Sequence, residues 1–282
     1  MLRFFQYKYA AVWVFVIVVT ITQTVAWFIY TVEKSREIEL VQNESEHVKQ
    51  RIESAVSQSN NVTSIIAMMI EHDLLKDHFE EVAKELLKHN EYLDAIQLVQ
   101  DMVIINTYPL KGNEQTIGYD LTTNNEHIRE IMLSSSLNSL HFEGPFKLRQ
   151  GGVGFVGRYP IIQHDTLWGY SAVVIKKERF IRFLGLDSSG MNKSFFYQIK
   201  KQQAGNKYIP LFNENVTNFS VGIVHEQYMP IGDWVVQVKL RNPVYLTRSI
   251  AYSLGGIFIS LIFSLLVQCK KSRLPVATGT II

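Results

Sequence analysis

The chain has 282 residues, 47% of them hydrophobic, and a formal net charge of +2 at pH 7. That balance, with no long Lys/Arg run, excludes a nucleic-acid binder, which needs a basic stripe to follow the phosphates. The single cysteine, Cys269, excludes an intrachain disulfide, so a domain outside a membrane must stand on its apolar core, for which about 215 residues suffice.

After a short N-terminus over residues 1–9, the run Ala10–Tyr30 carries no charge for 21 residues. An α-helix needs roughly 20 apolar residues to cross the hydrocarbon core. Tyr7, Tyr9, Trp27 and Tyr30 lie near its ends, where amphipathic rings favour the headgroup level. The competing reading is a cleaved signal peptide with a weak site at Thr24-Val25-Ala26. The run is long for such a peptide, and a helical pattern continues out of it, so an uncleaved transmembrane helix over 10–30 is expected.

Residues 31–73 read as one long stalk helix. Val41, Val48, Ala55, Val62 and Met69 recur every seven residues, with Ile38, Ile52 and Ile66 on the companion seam, interrupted by Ser45 and Ser59. Such a stripe packs on its own domain or forms a parallel dimer seam, and Asn60-Asn61 marks a candidate bend. Glu71–Asn90 reads as a second helical stretch. Ala95–Val99 and Met102–Tyr108 then form a hairpin around Gln100-Asp101. Glu126–Ser135 reads as a short helix and His141–Leu148 as an extended segment. Gly154–Gln163 and Leu167–Lys176 make a hairpin joined by His164-Asp165-Thr166, followed by a connecting helix over Lys177–Leu184. Phe195–Lys201, Phe219–Val224 and Trp234–Leu240 read as a second, smaller set of strands. A long helix followed by two antiparallel sheets is an α+β arrangement.

Ile250–Gln268 is the second apolar span, and Lys270, Lys271 and Arg273 follow it. Short Lys/Arg-rich flanks stay on the cytoplasmic side. Both termini are then expected in the cytoplasm and the stretch between the spans outside, although Arg241 and Arg248 lie on the wrong side for this rule. Gly255-Gly256 either allows close helix approach or is simply tolerated in the span. The tail over residues 269–282 has no room for a kinase, cyclase or methyl-accepting module.

No catalytic constellation is present: no HExxH, no Cys/His cluster and no GxSxG. His72 and His78 fall on different helix faces, so no metal pair is expected there, nor any cofactor. Gly151-Gly152-Val153-Gly154 lacks the Lys-Ser/Thr of a phosphate loop and reads as a turn, as does Gly144-Pro145. Glu114, Asp120 and Glu143 are the only candidates for acid–base work and read by default as surface or turn carboxylates, so no enzyme is expected.

Binding fits the residues better. Ligand pockets are mostly apolar with a few orienting polar groups, and the stretch Asp94–Tyr170 supplies that mixture. The candidate ligand-binding residues are Gln97, Tyr108, Asn113, Asp120, Gln150, Arg158, Tyr159, Trp168 and Tyr170. If Arg158 points inward it needs an anion or a carboxylate partner, either Asp120 or an acidic ligand; otherwise it faces water on an open sheet.

Several of these motifs carry a family resemblance. Tyr108-Pro109-Leu110-Lys111-Gly112-Asn113-Glu114, Ile117-Gly118-Tyr119-Asp120, Gly144-Pro145, Gln150-Gly151-Gly152, Arg158-Tyr159-Pro160 and Trp168-Gly169-Tyr170 follow in order. In this the chain resembles the CHASE domain, an extracytoplasmic sensor of bacterial receptors and plant cytokinin receptors, over roughly residues 60–240. The resemblance implies a stalk helix and two PAS-like subdomains, a membrane-distal ligand-binding one over 74–190 and a membrane-proximal one over 191–249. Spans over 10–30 and 250–268 flank them in the inner membrane, with the sensor in the periplasm. It further implies an unidentified small-molecule ligand, a homodimer and signalling across the membrane. Because no output module follows the second span, a separate cytoplasmic signalling protein is the expected receiver. The alternative is a truncated or degenerate receptor that acts only as a dimerisation or interaction protein.

Overall fold

A computed structural model describes residues 9–75, 78–123, 128, 131–132, 136, 138–186, 194–203, 207–213 and 218–272. The helix expected over residues 126–135 and the extreme ends of the chain lie largely outside them. The elements in chain order are α1 (Ala10–Glu71), α2 (Phe79–Lys88), β1 (Ala95–Gln100), β2 (Val103–Tyr108), β3 (His141–Lys147), β4 (Val153–Gln163) and β5 (Thr166–Lys176). They continue with α3 (Lys177–Phe183), β6 (Phe195–Gln203), β7 (Lys207–Asn213), β8 (Val224–Met229), β9 (Trp234–Leu240) and α4 (Tyr245–Ser272). The chain divides into two compact units, residues 1–41 with 240–282, and residues 42–239.

The first unit is helical. α1 and α4 are each long and apolar enough to cross a membrane, and little of either apolar stretch is buried within the chain. A glutamine amide in such a stretch must be satisfied by protein, because hydrocarbon offers no partner. Ser253 does this twice: its hydroxyl donates to Gln23 Oε1 at 2.6 Å, and its carbonyl accepts from Gln23 Nε2 at 3.1 Å. Farther along, the Ser264 hydroxyl donates to the Ala11 carbonyl at 3.0 Å. At the other end of the pair, Glu37 Oε1 accepts from the backbone N–H of Val244 at 2.7 Å and of Tyr245 at 3.1 Å. A carboxylate there satisfies orphan donors at the start of α4 and opposes the positive end of its dipole. Arg248 adds an ion pair with Glu33 at 2.8 Å.

Of the two adjacent glycines in α4, only Gly256 is at the contact: a Cβ there would lie 2.5 Å from Thr22 Cβ, whereas at Gly255 it would meet nothing. Gly256→Val is therefore expected to force the two helices apart and lower stability by roughly 1–3 kcal/mol. Thermal unfolding in detergent, with Gly255→Val as the control that keeps wild-type stability, checks this.

The second unit is α+β. Its part of α1 buries Val48, Ile52, Ala55, Val62 and Ile66 within the chain itself, so this seam is occupied and is not free to form the parallel dimer seam. The interruption at Ser59 has a specific cause. Its hydroxyl is 3.1 Å from the Tyr92 hydroxyl, which donates to the Ala55 carbonyl at 2.9 Å. Burial pushes the Tyr92 phenol up to about 12, against the lowering effect of the Ser59 bond. α1 continues through Asn60-Asn61 without a break. The following helix is shorter than expected, since Asp73 leaves helical geometry with φ 58° and α2 begins only at Phe79.

The first sheet has the order β2-β1-β5-β4-β3 and the second β7-β6-β9-β8. The first hairpin turns one residue later than expected, and the β4–β5 hairpin turns at the expected place with Thr166 already in the strand. Asp101-Met102 and His164-Asp165 take positive φ at both positions, the two-residue turn whose twist matches the flanking strands. Gly144-Pro145 sits inside β3, at an irregularity in its pairing with β4, not at a turn. In the second sheet, the strand expected over Phe219–Val224 begins instead at Val224, and β7 was not anticipated. β7 contains Pro210, which reads as a breaker, but it is an edge strand, where a missing N–H is tolerated. Trp234, at the start of β9, is 2% exposed and closes an aromatic cluster between the sheets, with ring centroids 5.4 Å from Phe155, 5.8 Å from Phe180 and 6.1 Å from Phe142.

Candidate functional site

Directly opposed residues of antiparallel strands share a face. The pairings Gln97↔Ala172 and Arg158↔Ala172 therefore put Gln97 and Arg158 on one face of the first sheet, with Ala172 between them. Val156 and Val174 continue that face. Two chain segments rise over it. Gly118–Leu121 adds to β2 through Gly118 N–H to Ile104 O at 2.8 Å, Ile104 N–H to Tyr119 O at 3.0 Å and Leu121 N–H to Met102 O at 2.9 Å. Leu148–Gly152 forms a tight turn, with Leu148 N–H to Gly152 O at 2.9 Å. Gly151 and Gly152 hold φ of 88° and 81° there, a conformation that side chains with a Cβ rarely adopt. The run is thus a turn and not a phosphate loop.

Sheet and segments together line an open cavity of about 250 Å³. Its walls are apolar at Ile104, Leu121, Leu148, Val156 and Val174, and polar at Gln97, Thr116, Tyr119, Lys147, Arg149, Gln150 and Arg158. The Arg149 guanidinium lies 4.0 Å over the Tyr119 ring, so the two segments meet across the cavity by a cation–π contact.

Arg158 faces inward. It is 4% exposed and forms an ion pair with Glu143, itself 3% exposed. The carboxylate partner is thus Glu143 and not Asp120, and the reading of Arg158 on an open, wetted face is overturned by its burial. Burial draws the guanidinium down to about 10, while the phenols of Tyr170 and Tyr119 act in the opposite sense; it stays charged at neutral pH. Arg158 Nε has no hydrogen bond among the described residues.

Of the nine candidate residues, the fold brings Gln97, Gln150 and Arg158 together on the cavity. Tyr170 lies on the same face of the sheet, packed with Val99, Ile104 and Leu121 in the core beside the cavity. Tyr108 and Tyr159 do not join them: their pairings, Ile96↔Tyr108 and Tyr159↔Ser171, put them on the opposite face. Trp168 is half-buried near the β4–β5 turn and is not a lining residue. Asn113 and Asp120 organise turns. Asn113 Nδ2 donates to Pro109 O at 2.8 Å, and Asp120 Oδ1 accepts from the Thr122 hydroxyl and N–H at 2.7 and 2.8 Å. Those two bonds hold the Asp120 carboxyl below its usual range. Bonds from its own backbone and that of Gly112 do the same for Glu114. Strand alternation is enough to separate Arg158 from Tyr159. Tyr119, Lys147 and Arg149 lie in irregular segments whose sequence carries no periodic signal.

Among the described residues no group of three or more His, Cys, Asp or Glu side chains is placed to hold a metal ion.

No protein-family model and no curated protein matches the chain. Solved structures are similar to it. An extracellular ligand binding receptor from Desulfohalobium retbaense DSM5692 superimposes with a TM-score of 0.54 at 13% identity, over 71% of this chain and 40% of that one. The sensory domain of the Campylobacter jejuni chemoreceptor Tlp3 (CcmL) gives 0.51 at 10% identity, over 79% of this chain and 98% of that one. The sensor domain of the V. cholerae histidine kinase DctB gives 0.50 at 10% identity, over 72% and 96%. The likeness is one of fold: a long N-terminal helix followed by two antiparallel sheets, as in these extracellular sensor domains.

Proposed function

We propose that the chain is a membrane-anchored extracytoplasmic sensor of the CHASE type, which binds a small molecule in the cavity of the first sheet. The observation that carries the reading is the buried Arg158 of that cavity, charged, paired with Glu143 and lining it together with the buried Gln97. A charged group is costly to bury, and a core built only for stability has little use for one beside a void. The fold shared with extracellular sensor domains supports the same reading. Enzymatic chemistry has no support, because the carboxylates considered for it are turn caps or, at Glu143, the partner of Arg158.

In this reading α1 and α4 cross the inner membrane, both ends of the chain are cytoplasmic and residues 31–249 are periplasmic. Binding biases the position of α1 against α4, by no more than the ligand's difference in affinity between the two states, within a homodimer built on a face other than the buried seam. Cys269, the single cysteine, tests the topology. A membrane-impermeant maleimide is expected to label it only after the inner membrane is opened; labelling of intact spheroplasts refutes the orientation.

The sensing site is tested by screening small acids, amines, alcohols and purines against the full chain in nanodiscs, with hydrogen exchange as the readout. A ligand is expected to protect residues 97–99, 118–121, 147–152 and 156–158. Ligands that protect only other segments place the site elsewhere.

A further inference from the structure

The cavity's own donors define the charge of its occupant. We infer that it takes a small amphipathic organic anion, a carboxylate carried on an apolar body; this rests on the cavity being the sensing site. Three cationic side chains, Lys147, Arg149 and Arg158, line it, and among the described residues no Asp or Glu does. Glu143 pairs with Arg158, so among the described residues Lys147 and Arg149 leave the walls with an excess of positive charge. An amine entering there meets like charge, and no carboxylate among the described lining residues receives it.

The hydrogen-bonding inventory points the same way. The Thr116 hydroxyl donates to Asn113 O at 2.7 Å and so accepts from Thr107, 2.8 Å away. Its proton is therefore committed within the protein. What remains open toward the cavity is mostly N–H. Gln97, 3% exposed, lines the cavity with its amide, and Arg158 Nε has no hydrogen bond among the described residues. Buried donors of this kind cost stability until an acceptor arrives. A carboxylate offers two acceptor oxygens and matches the planar guanidinium fork. The rest of the lining, Ile104, Leu121, Leu148, Val156 and Val174, is apolar, so the anion needs a body and not only a head. At about 250 Å³ the space lies below the range of roughly 300–1,000 Å³ usual for drug-sized ligands, which suits a metabolite-sized acid. Arg149, exposed and resting on the Tyr119 ring, is the group free to turn onto the bound carboxylate.

The test is thermal unfolding of the full chain in nanodiscs with matched probes: benzoate and pentanoate, benzylamine, benzyl alcohol and inorganic phosphate. The carboxylates are expected to raise Tm, by less as salt increases, and the others to leave it unchanged. Arg149→Ala is expected to weaken the carboxylate effect about tenfold, since it removes one charge-assisted contact, while the unliganded Tm falls only by the small amount that its contact with Tyr119 contributes. Arg158→Ala alone is avoided because it strands Glu143. The double variant Glu143→Leu/Arg158→Met is expected to stay folded and to lose the effect. Benzylamine or benzyl alcohol acting as strongly as benzoate, or phosphate acting as strongly as either carboxylate, overturns the inference. So does a panel in which nothing acts. In each case hydrogen-exchange protection of residues 147–158 by any other small molecule still upholds the cavity as the sensing site, whereas benzoate protecting only other segments overturns both.

Discussion

Arg158→Ala is expected to destabilise the α+β unit by about 3–5 kcal/mol, the usual cost of leaving one member of a buried ion pair without its partner. Arg158 and Glu143 are 4% and 3% exposed, so water cannot take over when the guanidinium is removed. The paired change Glu143→Leu/Arg158→Met removes both charges and fills the same space. It is expected to lie within about 1 kcal/mol of the wild type or above it, because apolar replacement of a buried pair is often neutral or stabilising. Urea unfolding of the three proteins decides. Equal losses in the single and double variants would mean that packing, and not charge, sets the cost. A stable double variant that no longer senses would assign the pair to recognition and not to folding.

The second large effect is expected at Trp234. Trp234→Ala removes the ring that meets Phe142, Phe155 and Phe180 between the two sheets, and should cost about 3–5 kcal/mol. Trp234→Phe should cost far less, on the order of 1–2 kcal/mol. The indole N–H has no hydrogen bond among the described residues, so only volume is lost. Chemical denaturation followed by far-UV circular dichroism measures both. If the phenylalanine variant falls as far as the alanine one, the indole N–H has a partner that packing alone does not account for.

Much of the fold was legible along the chain, for local reasons. The apolar runs Ala10–Tyr30 and Ile250–Gln268 announce long helices by length alone. The β4–β5 hairpin shows in its two strand-like runs around a polar turn. Where the reading slipped, a longer-range term prevailed. β7 holds a proline that only its edge position excuses, and the seam of α1 has a serine because Tyr92, 33 residues on, needs a partner. The stripe itself could not say whether it faced a second copy or its own domain. A heptad looks the same in both cases, and only the burial of Val48, Ile52 and Val62 within one chain separates them.

The candidate site divides along the same line. Arg158 was legible as a charge in an apolar strand in need of a partner, and Gln97 and Gln150 as polar groups near it. Tyr108 and Tyr159 share their aromatic composition with pocket residues, but strand parity puts both on the other face. Arg158 pairs with Glu143 and not with Asp120, and only the pairing of β3 with β4 shows this. Arg149 over Tyr119 joins two loops 30 residues apart, a contact no periodicity encodes.

By itself, then, the sequence determined the class of the molecule: two apolar helices, a long stalk and an α+β region without catalytic motifs. These follow from segment length, apolar period and residue chemistry, all of them local. The tertiary structure alone decided which faces meet. Strand register turned one arginine onto a cavity and its neighbouring tyrosine away from it, and a one-residue change of register would exchange them. It also gave that arginine its carboxylate, because a buried charge is settled by what lies within a few ångströms in space, whatever its distance along the chain.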